Sequence, residues 1–281
     1  MSSKKVIKIV EPIYVVEGAG VRLRRTIGTD YLDYLDPFLL FDHFGSEDPR
    51  DYLAGFPMHP HRGIETVTYM LSGNVNHKDS IGNSGTIGAC DVQWMTSGSG
   101  ILHEEMPQEP EDGKLEGFQL WVNLPAKLQM TRPRYQEVNA YQIPEITLAD
   151  GVQVKVIAGE INGVEGPITE IFADPEYLDV SLQEGCSFEH NLPEGHTVFA
   201  YVFEGEGVFD EEGTPISATN LVIFGDGEAV KIHAEDDPVR FLLISGKPLN
   251  EPIARYGPFV MNTPEEIDEA LRDLQKGTFI K

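Results

Sequence analysis

The sequence is poor in cysteine and has no long apolar run. Its two thiols, Cys90 and Cys186, are too few for a disulfide framework and suit a reducing compartment. The amino terminus, MSSKKVIKIV, reaches Glu11 after a short apolar stretch, so it lacks the apolar segment and cleavage site of a signal peptide. No stretch approaches the roughly 18 apolar residues of a membrane span. We therefore predict a cytoplasmic protein with no membrane partner.

Positive charge is also scarce. The chain carries 21 lysines and arginines against 46 aspartates and glutamates, a formal net charge of −25. Such a surface repels the phosphate backbone of nucleic acids, and no basic stripe offsets it. We expect no direct nucleic-acid partner, whereas binding to a basic protein partner stays open.

Helical periodicity is rare, and most segments are typical of strands. Runs rich in Val, Ile, Tyr, Phe and Thr end at Gly, Pro, Asp or Asn, which favours an all-β sandwich or barrel architecture. The 28 glycines and 19 prolines fit the many tight turns of such a fold. The clearest predicted strands are residues 65–73, 91–98, 117–124, 152–159, 196–205 and 239–246.

One helix is predicted near the carboxyl terminus. Residues 263–266, TPEE, form a capping box with proline at the first helical position. Apolar residues then recur at helical spacing up to Leu274, and Gly277 can end the helix. The pattern predicts a short helix at about 264–276.

The chain repeats itself weakly. Three segments of the first half resemble three segments of the second half in the same order, which favours two similar β-domains. The segment 130–150 is polar and rich in turn residues, so we place the connection there. We predict an amino-terminal, metal-binding domain at 1–135 and a metal-free domain at 136–281 that includes the helix. The three pairs are 64–75 with 195–209, 96–105 with 224–235, and 117–126 with 240–249.

Four side chains suggest a metal site. His59 and His61 are two residues apart, so in a strand they point to the same face, and His103 and Glu105 have the same spacing. Three imidazoles and one carboxylate form a suitable ligand set for a divalent transition metal. Taken alone, a His-x-His pair is weak, because histidines often lie at surfaces or serve as hydrogen-bonding core residues.

The motifs resemble those of the cupin superfamily, and longer strings resemble the pirin family. The cupin-like motifs are Gly55, His59, His61, Glu65 and Gly73, then Gly98 to His103, with Pro107 where asparagine is usual. The pirin-like strings run from about residue 36 to 268: DPFLLFDHFG, FPMHPHRGIETVTYMLSG, DVQWMTSGSGILHEEMP, GFQLWVNLP and YGPFVMNTPEEI.

This resemblance implies a fold, a ligand set and an activity. Two cupin-type β-barrels, a bicupin, are expected. The implied metal ligands are His59, His61, His103 and Glu105, whereas Glu65, a ligand in many other cupins, is not carried over. One divalent metal is expected, Fe(II) first, with Mn, Co, Ni, Cu or Zn as alternatives. Phe56, Met58, Met95, Ile101 and Met106 are candidate apolar walls.

The implied reaction is that of quercetin 2,3-dioxygenase, in which a flavonol-like aromatic substrate reacts with O2 and releases carbon monoxide. Glu105 would be the catalytic base. The alternative is a non-enzymatic regulator that senses metal or redox state and binds transcription factors or metabolic enzymes. A third is a metal enzyme acting on an unrelated small molecule, since one fold hosts many chemistries.

The second half departs from the motifs. Aligning the repeats puts His190 opposite His59 but Leu192 opposite His61. His233 begins a His-x-Glu that lies three residues too far beyond its glycines. We expect this domain to be structural. His190, His196 and His233, like His43 and His77, are expected to be surface or hydrogen-bonded histidines.

Overall fold

The computed structural model describes residues 2–109, 113–211 and 213–281, and these are almost entirely strands and turns. The strands before residue 140 are β1 (Val6–Val10), β2 (Ile13–Glu17), β3 (Val21–Ile27), β4 (Phe38–Ser46), β5 (Phe56–His61), β6 (Ile64–Ser72), β7 (Asn74–Asp79), β8 (Ser84–Ile87), β9 (Val92–Thr96), β10 (Ile101–Gln108), β11 (Leu115–Asn123) and β12 (Arg134–Val138). Short 3-10 helices span Pro49–Asp51, Ala126–Leu128 and Ala140–Gln142.

The later strands follow the same style. They are β13 (Glu145–Ala149), β14 (Val152–Ala158), β15 (Glu160–Ile161), β16 (Val164–Glu165), β17 (Glu176–Leu182), β18 (Ser187–Asn191), β19 (Thr197–Gly207), β20 (Ile216–Ser217), β21 (Leu221–Phe224), β22 (Ala229–His233), β23 (Val239–Gly246), β24 (Ala254–Tyr256) and β25 (Phe259–Met261), before the helix α1 (Pro264–Lys276). The six strands predicted from sequence are confirmed as β6, β9, β11, β14, β19 and β23.

The chain forms two compact units, each built from two separate segments. The amino-terminal unit contains Ile13–Ala140 together with Leu249–Lys281. The carboxy-terminal unit contains the residues up to Pro12 together with Tyr141–Pro248. The domains predicted from the sequence, 1–135 and 136–281, are contiguous. The structure differs from them at both ends of the chain, because each end belongs to the unit formed mainly by the other half. β1 belongs to the sheet of the carboxy-terminal unit because it pairs with β21 there.

The large sheets of the two units repeat one topology. The amino-terminal sheet has the order β12-β9-β6-β11-β4-β3-β2, and the other has β1-β21-β19-β23-β17-β14-β13. The second order is the first repeated strand for strand, with β1 in the place of β12. The segment 130–150, predicted as a connection, contains two edge strands, β12 and β13. Its polar composition did not indicate strands.

A smaller sheet completes each unit. In the amino-terminal unit it has the order β5-β10-β7-β8, and in the carboxy-terminal unit it is the pair β18-β22. The large and the small sheet of a unit do not join into a continuous barrel. Each unit is therefore a jelly roll of the cupin type, which consists of two antiparallel sheets. The predicted all-β, two-cupin fold is confirmed.

The predicted helix is confirmed at Pro264–Lys276. Thr263 accepts a hydrogen bond from the Glu266 amide, the Glu266 side chain accepts one from the Thr263 amide, and Gly277 ends the helix at φ 69°. The helix packs Ile267 and Ala270 onto a cluster that includes Phe259 and Phe279. These residues belong to the amino-terminal unit.

Within the described residues, none of the helices has the length and apolar character to cross a bilayer.

Candidate metal centre

Two antiparallel strands bring the four predicted site residues together. In the pairing of β5 with β10, His59 lies opposite His103, and after a bulge Glu105 lies opposite Phe56. His61 is two residues beyond His59, so its side chain leaves the same face of β5. The register of one strand pair thus joins two short sequence motifs that are about forty residues apart.

The three imidazoles form a compact group. One ring nitrogen from each of His59, His61 and His103 lies within 4.8 Å of the others. The ring centroids are 4.4 Å apart for His59 and His103, 4.8 Å for His59 and His61, and 5.0 Å for His61 and His103. Imidazole nitrogens that converge in this way suit a divalent first-row transition metal.

Glu105 lies at the side of this group. Its Oε2 is 4.0 Å from Nε2 of His103, and its Oε1 accepts a hydrogen bond of 3.1 Å from the Thr68 hydroxyl. The carboxylate is 8% exposed. The group of ligand atoms that all lie within 4.8 Å of one another contains the three imidazole nitrogens and not Glu105. The role of Glu105 as a fourth ligand therefore stays a prediction.

Burial keeps the imidazoles neutral, which is the form that binds metal. It lowers the pKa of His61 well below its usual value, and it lowers the pKa of His103 to about 4. Burial lowers the pKa of His59 as well, and the nearby His103 adds to this effect. Burial raises the pKa of the Glu105 carboxyl, against the opposing influence of His59 and Thr68.

Unused nitrogen atoms show that the residues fit a metal ion. Among the described residues, both ring nitrogens of His103 and Nδ1 of His61 are buried without a hydrogen-bond partner. Buried polar atoms of this kind are costly unless a ligand satisfies them. Nδ1 of His59 donates to the Pro57 carbonyl at 3.1 Å, which leaves the Nε2 lone pair free for coordination.

The segment after His61 is held by the carboxyl-terminal residues of the same unit. Arg62 is 1% exposed, donates to Asp273 at 2.9 Å and to the Phe279 carbonyl at 3.1 Å, and lies over the Phe279 ring. Gly63 has φ 85°, and a side chain there would overlap the Val260 carbonyl. Sequence analysis missed this support, because the partners lie about 200 residues away.

A cavity of about 530 Å³ opens beside the cluster. His59, His61 and Glu105 line it, but of the predicted apolar walls only Phe56 does so. Met58 is exposed, whereas Met95 and Ile101 are fully buried away from it. The walls come instead from the large sheet, whose inward positions the motifs do not cover: Val21, Leu23, Leu40, Phe44, Leu115 and Trp121.

A charged group also lines this cavity. Arg25 donates from Nε and Nη2 to both carboxylate oxygens of Asp42, at 2.7 and 2.8 Å, and from Nη1 to Glu17 at 2.8 Å. The two-pronged geometry is that of an ionised pair. Sequence analysis missed these residues, which come from three neighbouring strands and form no local motif.

The two alternative carboxylates are engaged elsewhere. Lys78 pairs with Glu104 at 2.8 Å. Thr96 donates to Glu65 at 2.7 Å, and Glu65 is fully buried on the face of β6 opposite the cavity-lining Thr68. Glu104 and Glu65 are thus held by other side chains, and Glu105 as the carboxylate ligand stays a prediction.

The histidines outside the site lie beside acidic or hydroxyl groups. His43 contacts Glu116 at 3.2 Å, and His77 lies 2.8 Å from Glu137. In the carboxy-terminal unit, His190 contacts Glu176 at 3.2 Å, and His196 lies 3.8 Å from Asp174. Nδ1 of His233 is 2.8 Å from the Ser187 hydroxyl.

Known proteins match this chain along almost all of its length. The Pirin family model matches residues 20–122, and the model of the Pirin C-terminal cupin domain matches residues 177–280. A pirin-like protein of Caulobacter vibrioides is 44% identical over 280 residues, which cover 99% of this chain and 100% of that protein. Pirin of Homo sapiens is 43% identical over 279 residues, which cover 98% of this chain and 93% of that protein.

A solved structure matches equally well. The crystal structure of a quercetin 2,3-dioxygenase from Acinetobacter baumannii has a TM-score of 0.90 and 38% sequence identity, and the match covers 100% of both chains. The likeness therefore extends over both units as well as the strands that carry the histidine cluster.

Proposed function

Because the chain belongs to the pirin family, we propose that it is a metal-dependent dioxygenase of the quercetin 2,3-dioxygenase type. The observation that carries the proposal is the group of three neutral imidazoles that converge within 4.8 Å and border a cavity of about 530 Å³. Ligand sites of small molecules commonly have about 300–1,000 Å³, so a three-ring flavonol falls within the accepted size.

We propose His59, His61, His103 and Glu105 as the ligands of one divalent metal, Fe(II) in the first place. The donor set is borderline nitrogen with one carboxylate oxygen, which suits iron and its first-row neighbours. A bound metal would supply a Lewis acid that lowers the pKa of a substrate hydroxyl and leaves open positions for oxygen.

The protein's own residues would bind and deprotonate the substrate. Trp121 presents its ring to His61 at a centroid distance of 5.2 Å, and the Phe56 ring lies 6.3 Å from that of His59, so an aromatic substrate meets apolar surfaces beside the cluster. Of the described acidic residues that line the cavity, Glu105 is the one that lies beside the imidazoles. Its raised pKa suits a carboxylate that accepts the proton of the substrate hydroxyl. The Thr68 hydroxyl holds Oε1 in place meanwhile.

The experiment combines metal analysis with oxygen uptake. Protein purified without added metal should contain about one first-row metal ion per chain, and quercetin should then drive oxygen consumption with release of carbon monoxide. His61→Ala should remove both the metal and the uptake, and His190→Ala, in the carboxy-terminal unit, is the matched control that should keep both.

Two outcomes would redirect the proposal. Full turnover in metal-free His61→Ala protein would contradict it. One metal per chain without uptake on any flavonol would favour the regulator that binds protein partners, which the net charge of −25 permits for basic partners.

A further inference from the structure

We infer that the cavity selects an aromatic substrate that carries an acid group, and that Arg255 binds this group. The inference deepens the proposed function and rests on it only in taking the cavity as the substrate site. Arg255 would be a specificity-determining residue that acts at a distance from the metal ligands.

Arg255 reaches the cavity from the carboxyl-terminal segment. It lies in the middle of β24, opposite Val260 of β25, within the amino-terminal unit. It lines the same cavity as His59 and His61, yet it is exposed to solvent. A residue that is both lining and exposed stands at the opening, where it meets the outer end of a substrate whose inner end is near the imidazoles.

The two arginines that line the cavity differ in how many of their N–H donors remain available for a ligand. Arg25 uses Nε, Nη1 and Nη2 on the carboxylates of Asp42 and Glu17, so its charge and three of its five N–H donors are engaged. Arg255 donates from Nη1 to the Leu39 carbonyl at 3.2 Å. Asp33, Asp42 and Glu17 act on Arg255 only over a longer range. Within the described part of the chain, no carboxylate lies at ion-pair distance from Arg255, so its remaining N–H donors are available at the opening.

Trp121 connects this guanidinium to the metal site. The guanidinium carbon of Arg255 is 5.2 Å from the centre of the Trp121 ring, and the same ring is 5.2 Å from the ring of His61. Both side chains thus contact Trp121, so a substrate that reaches the imidazoles along this wall of the cavity also passes the guanidinium. A carboxylate at the outer end would meet a planar cation whose paired donors match it.

The placement of charges in the lining explains how an acid group would be oriented. Arg25 carries one positive charge against the two carboxylates of Asp42 and Glu17, so that group has a net charge of −1. Glu105 lies beside the histidines, and Arg255 is the cation of the described lining that no carboxylate holds at ion-pair distance. A substrate whose acid group points outward avoids Glu105 and meets Arg255. The reversed orientation would bring two carboxylates together, so Arg255 would also set the direction in which the substrate enters.

The test compares two ligands that differ by one carboxylate. The probes are 3-hydroxyflavone and 3-hydroxyflavone-4′-carboxylic acid, and the affinities are measured by calorimetry on the full-length, metal-loaded protein without oxygen. We expect the acid to bind about tenfold more tightly to the wild type, as one charge-assisted contact allows. Raised salt should reduce this preference.

Variants then assign the preference to one side chain. Arg255→Gln should bring the ratio of the two affinities to about one while the affinity for 3-hydroxyflavone stays within about twofold. Arg255→Lys should keep part of the preference, because the charge remains and the fork is lost. Arg272→Gln, an exposed arginine of α1, is the matched control and should behave as the wild type.

The inference fails if the wild type shows no preference for the acid, or if Arg255→Gln retains it. These results are independent of turnover. An Arg255-dependent preference without oxygen uptake on quercetin would support this inference and contradict the proposed dioxygenase activity. Oxygen uptake without any preference for the acid would support the proposed activity and contradict this inference.

Discussion

The two units share a strand order, yet the interiors that these strands enclose differ in kind. In the carboxy-terminal unit, the inward side chains of β18 and β22 include Phe188, Val230 and Ile232, and they pack into one apolar core with Leu192, which follows β18. His190 is the one imidazole at an inward position of this strand pair, and Glu176 engages it.

In the amino-terminal unit, the equivalent strands β5 and β10 present three imidazoles and Glu105, and a cavity remains in front of them. Within the described residues, apolar side chains fill the interior of the carboxy-terminal unit where the amino-terminal unit has imidazoles. The difference teaches that the same strand order can carry different inward residues, and the prediction that the carboxy-terminal unit is metal-free follows from those residues.

The largest expected effect concerns metal content. His61→Ala should reduce the metal from about one ion per chain to near zero, because one of three converging nitrogens is lost. His190→Ala removes an inward histidine from the equivalent strand pair and should leave the metal content unchanged. Elemental analysis of both variants checks this, and a metal loss caused by His190→Ala would break the contrast between the units.

The next effect concerns the cores. Phe241→Ala, in the packed interior of the carboxy-terminal unit, should lower the free energy of unfolding by about 3–5 kcal/mol, because the buried ring leaves a void. Phe56→Ala should cost less, about 1–2 kcal/mol, because Phe56 already borders open space. Urea unfolding followed by circular dichroism measures both, and equal costs would mean that the cavity wall is as tightly packed as the core.

Metal should stabilise the amino-terminal unit. A metal ion present at 100 times its dissociation constant adds about 2.7 kcal/mol to the free energy of unfolding of whatever binds it. Both tryptophans, Trp94 and Trp121, belong to this unit, so their fluorescence reports its unfolding. The urea midpoint should rise on adding metal to chelator-treated wild type, and it should stay constant in His61→Ala.

The smallest effect concerns the hydroxyl that holds Glu105. Thr68→Val keeps the shape of the side chain but removes the hydrogen bond to Oε1, so metal affinity should fall by about tenfold. Thr86→Val, which loses a hydroxyl bonded to Asn76 on the surface, is the matched control. An unchanged affinity in Thr68→Val would argue that Glu105 is held by packing alone or does not bind the metal.

The sequence by itself determined the local features of this protein. Strand alternation predicted that His59 and His61 share a face, and so do His103 and Glu105. The capping box at Thr263 predicted the helix to the residue. The weak repeat predicted two similar β-domains. Each of these follows from interactions between residues close in the chain, which a linear pattern records.

The tertiary structure alone decided what surrounds these motifs. Register placed His59 opposite His103, and the carboxyl-terminal residues supplied Asp273 and Phe279 to fix Arg62. Strand pairing assigned β1 to the carboxy-terminal unit. Packing against Phe259 and Phe279 assigned α1 to the amino-terminal unit. The cavity lining, with Trp121 and Arg255, also arose from distant segments. Such contacts depend on which strands pair and which faces pack, and long-range pairing leaves no periodic signal in the sequence.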